Sequence, residues 1–282
     1  MKVNSSQRIF QILNAAFMAM VCIIILIPIW MVILTSLSPD YAVADRGFIL
    51  IPKGIDFSAY IKVITTGGYL RSFIVSIMTT VAATAVSMGL TTTMAYALAQ
   101  KELIFRKFFM KMVMLTMIID GGIIPFYMVV RNLGMIDTYS SLIIPMAVST
   151  YNLILMRNFF RSIPESLIES ARLDGCGELG ILLKIIMPVS VPIIAAVTLF
   201  YAVMHWNRYF ETVMFINSSS KMTLQVLLRQ LIFQGEADGA YTVMLNNFKM
   251  AVMVIAMLPI LVLYPFVQKY FVSGIMVGSV KE

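Results

Sequence analysis

The chain has 282 residues, 60% of them hydrophobic and only 12% charged, with a mean hydropathy of +0.90 and a formal net charge of +7. Soluble domains carry roughly 25% charged residues, so water is excluded as the solvent for most of this chain. The basic excess forms no continuous cluster, which suits a membrane surface and argues against nucleic acid. One histidine, His205, and two cysteines, Cys22 and Cys176, give no metal-ligand spacing.

The gaps between charges carry the fold. No Asp, Glu, Lys or Arg occurs in 9–39, 72–100, 138–156, 185–207 or 250–268, and 112–130 holds only Asp120. A helix needs roughly 20 apolar residues to cross the hydrocarbon, and these runs lack the two-residue alternation of barrel strands. The expectation is an all-α polytopic membrane protein with about six spans, near 11–36, 71–98, 108–131, 139–160, 188–214 and 246–271, making 1–282 a single domain. The first apolar run, Phe17 to Leu34, passes into Thr35-Ser36-Leu37-Ser38-Pro39 with no cleavage signature, and is read as a retained span. The second is rich in small residues (Ser76, Thr80, Ala83, Thr84, Ser87, Gly89, Ala95), as in a tightly packed inner helix. An even number of spans puts both termini on one side. Placing them inside assigns twelve of the 21 basic residues to inner segments, with four in the short 99–111 connection.

Between spans four and five, Ser162 and Glu165 have capping-box spacing and Pro164 falls in the expected first turn. Ile163, Leu167, Ile168 and Ala171 share one helical face opposite Glu165, Glu169 and Arg172. Gly175 is expected to end that helix in a left-handed conformation, with a second short helix over about 178–186 leading into span five at Pro188. The pattern predicts a helix–turn–helix elbow on the inner surface. By itself the pattern also fits a well-packed inner loop, and such loops are commoner than docking devices.

The run Glu169-Ser170-Ala171-Arg172-Leu173-Asp174-Gly175, nine further residues, and Ile185-Ile186-Met187-Pro188 resembles the EAA loop of ABC importer permeases, written E-A-A, three residues, G, nine residues, I-x-L-P. Ser170 and Met187 depart from that pattern by small changes of size or shape. Pro28 and Trp30, Ala95-Tyr96-Ala97-Leu98-Ala99, and Trp206-Asn207 are similar to the maltose-type permeases. Asp120-Gly121-Gly122-Ile123-Ile124-Pro125-Phe126 resembles a subgroup linked to oligosaccharide uptake. The resemblance implies a permease of the bacterial cell membrane, both termini cytoplasmic, that imports a sugar by alternating access. Its implied partners are a second homologous permease, an ATPase dimer and an extracellular solute-binding protein. Glu169, Ala171, Asp174, Gly175, Ile185 and Pro188 would then couple it to the ATPase. The chain would be no enzyme and hold no cofactor, ATP and Mg belonging to the ATPases. Gly175 and Gly180 have half a P-loop spacing, but Ile181 stands where Lys is required.

Asp120 is the one acid well inside a span. It is either a sugar-hydroxyl acceptor or a structural acid pairing with the N–H groups of a helix broken at Gly121-Gly122. His205, Asn207, Arg208 and Tyr209, and Tyr151 and Asn152 in span four, suit a sugar path or ordinary interfacial and interhelical roles. Residues 215–245 carry an amphipathic helix with Leu224, Leu227, Leu228, Leu231 and Ile232, ending in a flexible tip of Gln234, Gly235, Glu236 and Asp238. By the resemblance this tip reaches the binding protein; alternatively the helix seals the bundle. Rival readings are an ABC permease for a non-sugar solute, an ion-coupled transporter, which favours more intramembrane carboxylates, and an intramembrane enzyme, for which no constellation exists.

Overall fold

Where lipid replaces water, every backbone N–H and C=O needs a partner within the protein, and helices supply it locally. The computed structural model describes residues 5–43, 54–65, 67–237 and 242–279, and among these there is no strand. The chain opens with the long helix α1 (Ser5–Ser36), followed by the short α2 (Asp40–Val43) and α3 (Ser58–Thr65), then the long α4 (Gly67–Ala99). Shorter pieces come next: α5 (Arg106–Ile118), α6 (Ile123–Asn132), α7 (Ser140–Ile143), α8 (Thr150–Ser162) and α9 (Glu165–Leu173). After them, α10 (Glu178–Ile181) runs through a π turn (Leu182–Ile186) into α11 (Met187–Val189), and α12 (Val191–Trp206) and α13 (Phe210–Phe215) follow. The last elements are α14 (Leu224–Ala237) and the 38-residue α15 (Thr242–Ser279).

Among the described residues, three helices are long and apolar enough to cross a membrane by themselves: Gln7–Ser36, Gly68–Ala99 and Asn247–Pro265. Two further candidates are bent pairs, α5 with α6 at 118° and Glu178–Val189 with α12 at 88°. The expected continuous span over 139–160 is instead divided into the single turn α7 and the 13-residue α8. Ile144 keeps helical angles as the C-cap of α7, and Pro145 after it has no N–H to carry the ladder onward. Ser149 then restarts the helix as its N-cap, accepting from the Asn152 N–H at 3.5 Å.

The chain divides into two compact units: Met1–Leu70 with Leu227–Leu258, and Arg71–Val226 with Pro259–Glu282. In the first, the end of α1 is tied by polar contacts. Ser36 Oγ lies 2.6 Å from the Tyr60 hydroxyl, the Asp56 N–H donates to Leu37 O, and Asn247 Nδ2 donates to Ser38 O. In the second, the small residues of α4 are packed inward: Ser76, Ala83, Ser87 and Ala95 are buried. A core of Tyr96, Leu98, Leu153, Met156, Phe160, Ala171, Ile181, Ile186 and Tyr201 joins α4, α8, α9, the α10 arm and α12. Leu224 and Leu231 on α14 are buried, while Arg229 and Gln230 are exposed, as the amphipathic pattern predicts.

Asp137 organises the turn before α7, and nothing in the sequence pattern singles it out. It adopts a left-handed conformation (φ 57°). Its Oδ1 accepts the N–H groups of Asn217 and Ser218, and its Oδ2 accepts the Ser218 hydroxyl and the Lys221 ammonium. These donors, the Ser218 hydroxyl foremost, hold the carboxyl well below its ordinary 3.8. A carboxyl depressed in the folded state stabilises above its unfolded value and loses that contribution as pH falls through the folded one. The unfolding temperature of the detergent-solubilised protein should therefore exceed that of Asp137→Asn by a constant margin from pH 7 down to about 5, narrowing only below the ordinary carboxylate range.

Candidate functional site

The elbow between α8 and α12 is built from a buried underside and an exposed charged face. Ile163 and Pro164 are extended, so α8 ends at Ser162 and α9 begins at Glu165 with Pro164 as its N-cap. The expected capping box is consequently not formed. Ser162 still belongs to α8 and turns its hydroxyl back to Phe159 O, while Glu165 pairs with Lys101. Ala171 is buried in the core, whereas Glu169 and Asp174 are exposed. Asp174 is the C-cap of α9, and Gly175 follows at φ +79°. The Cys176 N–H reaches Ala171 O and the Gly175 N–H reaches Arg172 O, the paired bonds of a Schellman ending.

The second arm is longer than the sequence suggests. It runs from Glu178 to Val189, and the break before α12 falls at Ser190, two residues past Pro188. The π turn carries the half-buried Ile185 and widens the helix ahead of Pro188, which is exposed. A proline ring in an ordinary helix would meet the carbonyl four residues earlier.

A second feature lies where three helices are interrupted. A cavity of about 680 Å³ is lined by Asp120, Gly121, Gly122, Phe126, Pro145, Ser149, Phe210 and Glu211, with apolar side chains between them. It takes in the α5–α6 break, the α7–α8 break and the start of α13. At about 1.5 Å per residue, α5 and α8 reach about 20 Å and α12 about 24 Å from the elbow end, short of the roughly 30 Å hydrocarbon thickness. Irregular backbone at that depth is tolerated where it is packed in protein or lines a wet cavity.

Asp120 lines this cavity, and its Oδ1 accepts the Gly122 N–H at 3.0 Å, so it also serves the broken helix. The other six residues read as a sugar path lie elsewhere. Arg208 is buried, donating to Leu142 O and, at 2.6 Å, to His205 Nδ1. A guanidinium only donates, so Nδ1 is the acceptor and the proton of neutral His205 sits on Nε2, 2.9 Å from Ser87 Oγ. Tyr201 stacks on His205 and accepts the Ser149 N–H at 2.9 Å. Asn207 turns back to Val203 O at the end of α12, and Tyr209 is half-buried just before α13. Asn152 is buried at the start of α8 beside the exposed Tyr151. The cavity's second carboxylate, Glu211, follows that cluster by two residues; the turn of the chain into α13 is what aims it there. On α14, Gln234, Gly235 and Glu236 are helical in backbone, not part of a loose tip, and Asp238 lies outside the described residues. No group of His, Cys, Asp and Glu among the described residues is arranged to hold a metal ion.

The family described as "Binding-protein-dependent transport system inner membrane component" matches residues 2–277. The chain is 43% identical to the polygalacturonan/rhamnogalacturonan transport system permease protein YtcP of Bacillus subtilis (strain 168), over 97% of this chain and 99% of the relative. It is 28% identical to the arabinooligosaccharides transport system permease protein AraQ of the same organism, over 97% and 96%. A solved structure of a bacterial ABC transporter involved in the import of the acidic polysaccharide alginate contains a chain with TM-score 0.89 and 33% identity, covering 95% of this chain and 99% of that one.

The left-handed Gly175 gives a direct test of the elbow's geometry. A built Cβ there meets nothing within 4 Å, so a substitution is opposed by backbone conformation alone. Gly175→Val should lower the unfolding free energy by about 1–2 kcal/mol, and Gly175→Asn by less, since Asn tolerates this region. Thermal unfolding in detergent measures both.

Proposed function

This chain belongs to the family of binding-protein-dependent transport system inner membrane components, and on that footing we propose that it is the permease subunit of an ATP-driven importer whose cargo is an oligosaccharide. Members are transport components and not themselves enzymes, and the long apolar helices place the chain in a membrane. The named cargoes of the similar proteins are carbohydrate polymers or oligomers, which supports a sugar over another solute. We take 1–282 as one permease domain with six spans and both termini cytoplasmic. Its partners are an ATPase pair that binds ATP and Mg, an extracellular binding protein and a second permease. Thr80 and Thr84, whose hydroxyls have no partner among the described residues, line a groove of about 670 Å³ between α4, the π turn and α12 that suits a second membrane helix.

In this reading the elbow docks on the ATPase through Glu169, Asp174 and the turn at Gly175, with Ala171, Ile185 and Pro188 setting its depth. The end of α14 at Gln234, Gly235 and Glu236, with Asp238 beyond it, meets the binding protein. The cargo passes the cavity at the three helix breaks, the observation that carries the assignment. Its volume falls within the roughly 300–1,000 Å³ of ligand sites, and Asp120 and Glu211 are acceptors for sugar hydroxyls between the apolar walls of Phe126 and Phe210. His205, Arg208, Asn207, Tyr209, Tyr151 and Asn152 act behind that wall.

With saturating binding protein in proteoliposomes, Glu211→Gln and Asp120→Asn should each slow uptake roughly tenfold, the loss of one hydrogen bond to a charged acceptor. The neutral amides preserve size, and Asn keeps an acceptor for the Gly122 N–H. Unchanged uptake in both would remove this cavity from the cargo path.

The orientation has its own test. In a background without Cys22 and Cys176, a cysteine at Lys107 should resist an impermeant thiol reagent in intact cells, and one at Ser219 should react. Labelling of position 107 from outside inverts the arrangement.

A further inference from the structure

We infer that Tyr96, Glu178 and Arg172 form a latch that carries movement of the elbow into the membrane helix α4. The inference rests on the reading of the elbow as the ATPase docking site, and it concerns side chains at positions that the E-A-A, G and I-x-L-P pattern leaves unspecified. Tyr96 lies one turn from the inner end of α4 with its ring buried, and its hydroxyl donates to Glu178 Oε2 at 2.5 Å. Glu178 is the first residue of α10, on the far side of the Gly175 turn. Its other oxygen, Oε1, accepts from Arg172 Nε at 3.1 Å and Nη2 at 3.0 Å, reaching back across the turn to α9. The same guanidinium donates to Glu102 Oε1 at 3.3 Å and Gln100 Oε1 at 3.5 Å in the connection between α4 and α5. One carboxylate and one guanidinium therefore tie together both arms of the elbow, the end of α4 and the loop that follows it.

This arrangement does work that packing leaves undone. A Cβ on Gly175 would meet nothing within 4 Å, so no side chain packs against the turn on the side to which residue 175 points. Arg172 and Glu178 close across that hinge and set the angle. The apolar underside of the elbow, with Ala171, Ile181 and Ile186, holds it against the core, but hydrophobic contact is non-directional and permits sliding. The Tyr96–Glu178 bond is the one side-chain hydrogen bond between the elbow and α4 among the described residues. Arg172 and Glu178 are partly exposed, at 31% and 55% of their side-chain surface, and exposed ion pairs add little to stability. Their contribution is geometric: a pull on the elbow reaches α4 at a fixed atom.

The experiment uses the assembled transporter in proteoliposomes and reads cargo molecules imported per ATP hydrolysed. Tyr96→Phe keeps the buried ring and removes only the hydroxyl; Glu178→Leu removes both bonds of the carboxylate. Each should lower the ratio about fivefold or more, the low end of ordinary coupling between sites, while Glu178→Gln, which still accepts from Tyr96, should restore part of it. Gly175→Val is measured alongside. A wild-type ratio in Tyr96→Phe and Glu178→Leu overturns the latch. If Gly175→Val then still loses coupling, the elbow reading stands without the latch; if it too is coupled, the elbow reading falls as well.

Discussion

Hydrocarbon offers no hydrogen bonds, and this largely apolar chain nevertheless interrupts three helices around one cavity. Each interruption frees backbone groups, and specific side chains meet them. Asp120 accepts the Gly122 N–H at the α5–α6 break. At the α7–α8 break, Arg208 donates to Leu142 O, Tyr201 accepts the Ser149 N–H, and the Ser149 hydroxyl caps α8. Both Arg208 and Tyr201 come from the α12 segment, so that one stretch mends the backbone of its neighbour. His205 completes the set by accepting from Arg208 and donating to Ser87 on α4. Of the residues read from the sequence as a sugar path, Arg208 bonds directly to the backbone at this break and His205 holds Arg208.

That wall explains how a cavity can exist beside such apolar helices. Continuous helices pack side by side and leave lipid-like contacts between them; broken ones withdraw their side chains and leave space. Gly121 and Gly122 allow the turn at one side, Pro145 forces it at another, and the bend after Asn207 brings Glu211 to the third. Two carboxylates then face a mostly apolar interior, an arrangement that accepts hydroxyl donors and resists a bare anion. The supports behind the wall, Arg208, His205 and Tyr201, are buried and in contact with one another, which holds the wall in place.

The elbow obeys a different economy of forces. It sits at the polar end of the same core, and its fixed elements are local: a proline N-cap, a Schellman ending and a left-handed glycine. What joins it to the membrane helices is a layer of apolar contact plus a small number of directed bonds. Such a piece is defined by its own local bonds and attached through few directed contacts.

Hydrophobic content and charge spacing determined, from the sequence alone, that the chain is helical and membrane-embedded, because the cost of an unpaired charge or backbone group in lipid leaves few alternatives. Gly175, Asp174 and Ala171 were legible for a similar reason: local backbone preference dictates the turn, and helical periodicity dictates the buried face. The capping box at Ser162 and Glu165 was a local pattern overruled by the extended Ile163-Pro164 step. The division of 139–160 at Pro145 and the extension of the second arm past Pro188 were masked because apolar composition does not register a break. Glu211, Asp137 and the Tyr96–Glu178–Arg172 latch had no signature, since their partners lie from a few to more than 80 residues away and only the packing of α4, α8 and α12 brings them together. Tertiary structure alone decided which polar residues face the cavity and which stand behind it, because along a helix that choice turns on rotations and bends that composition does not encode.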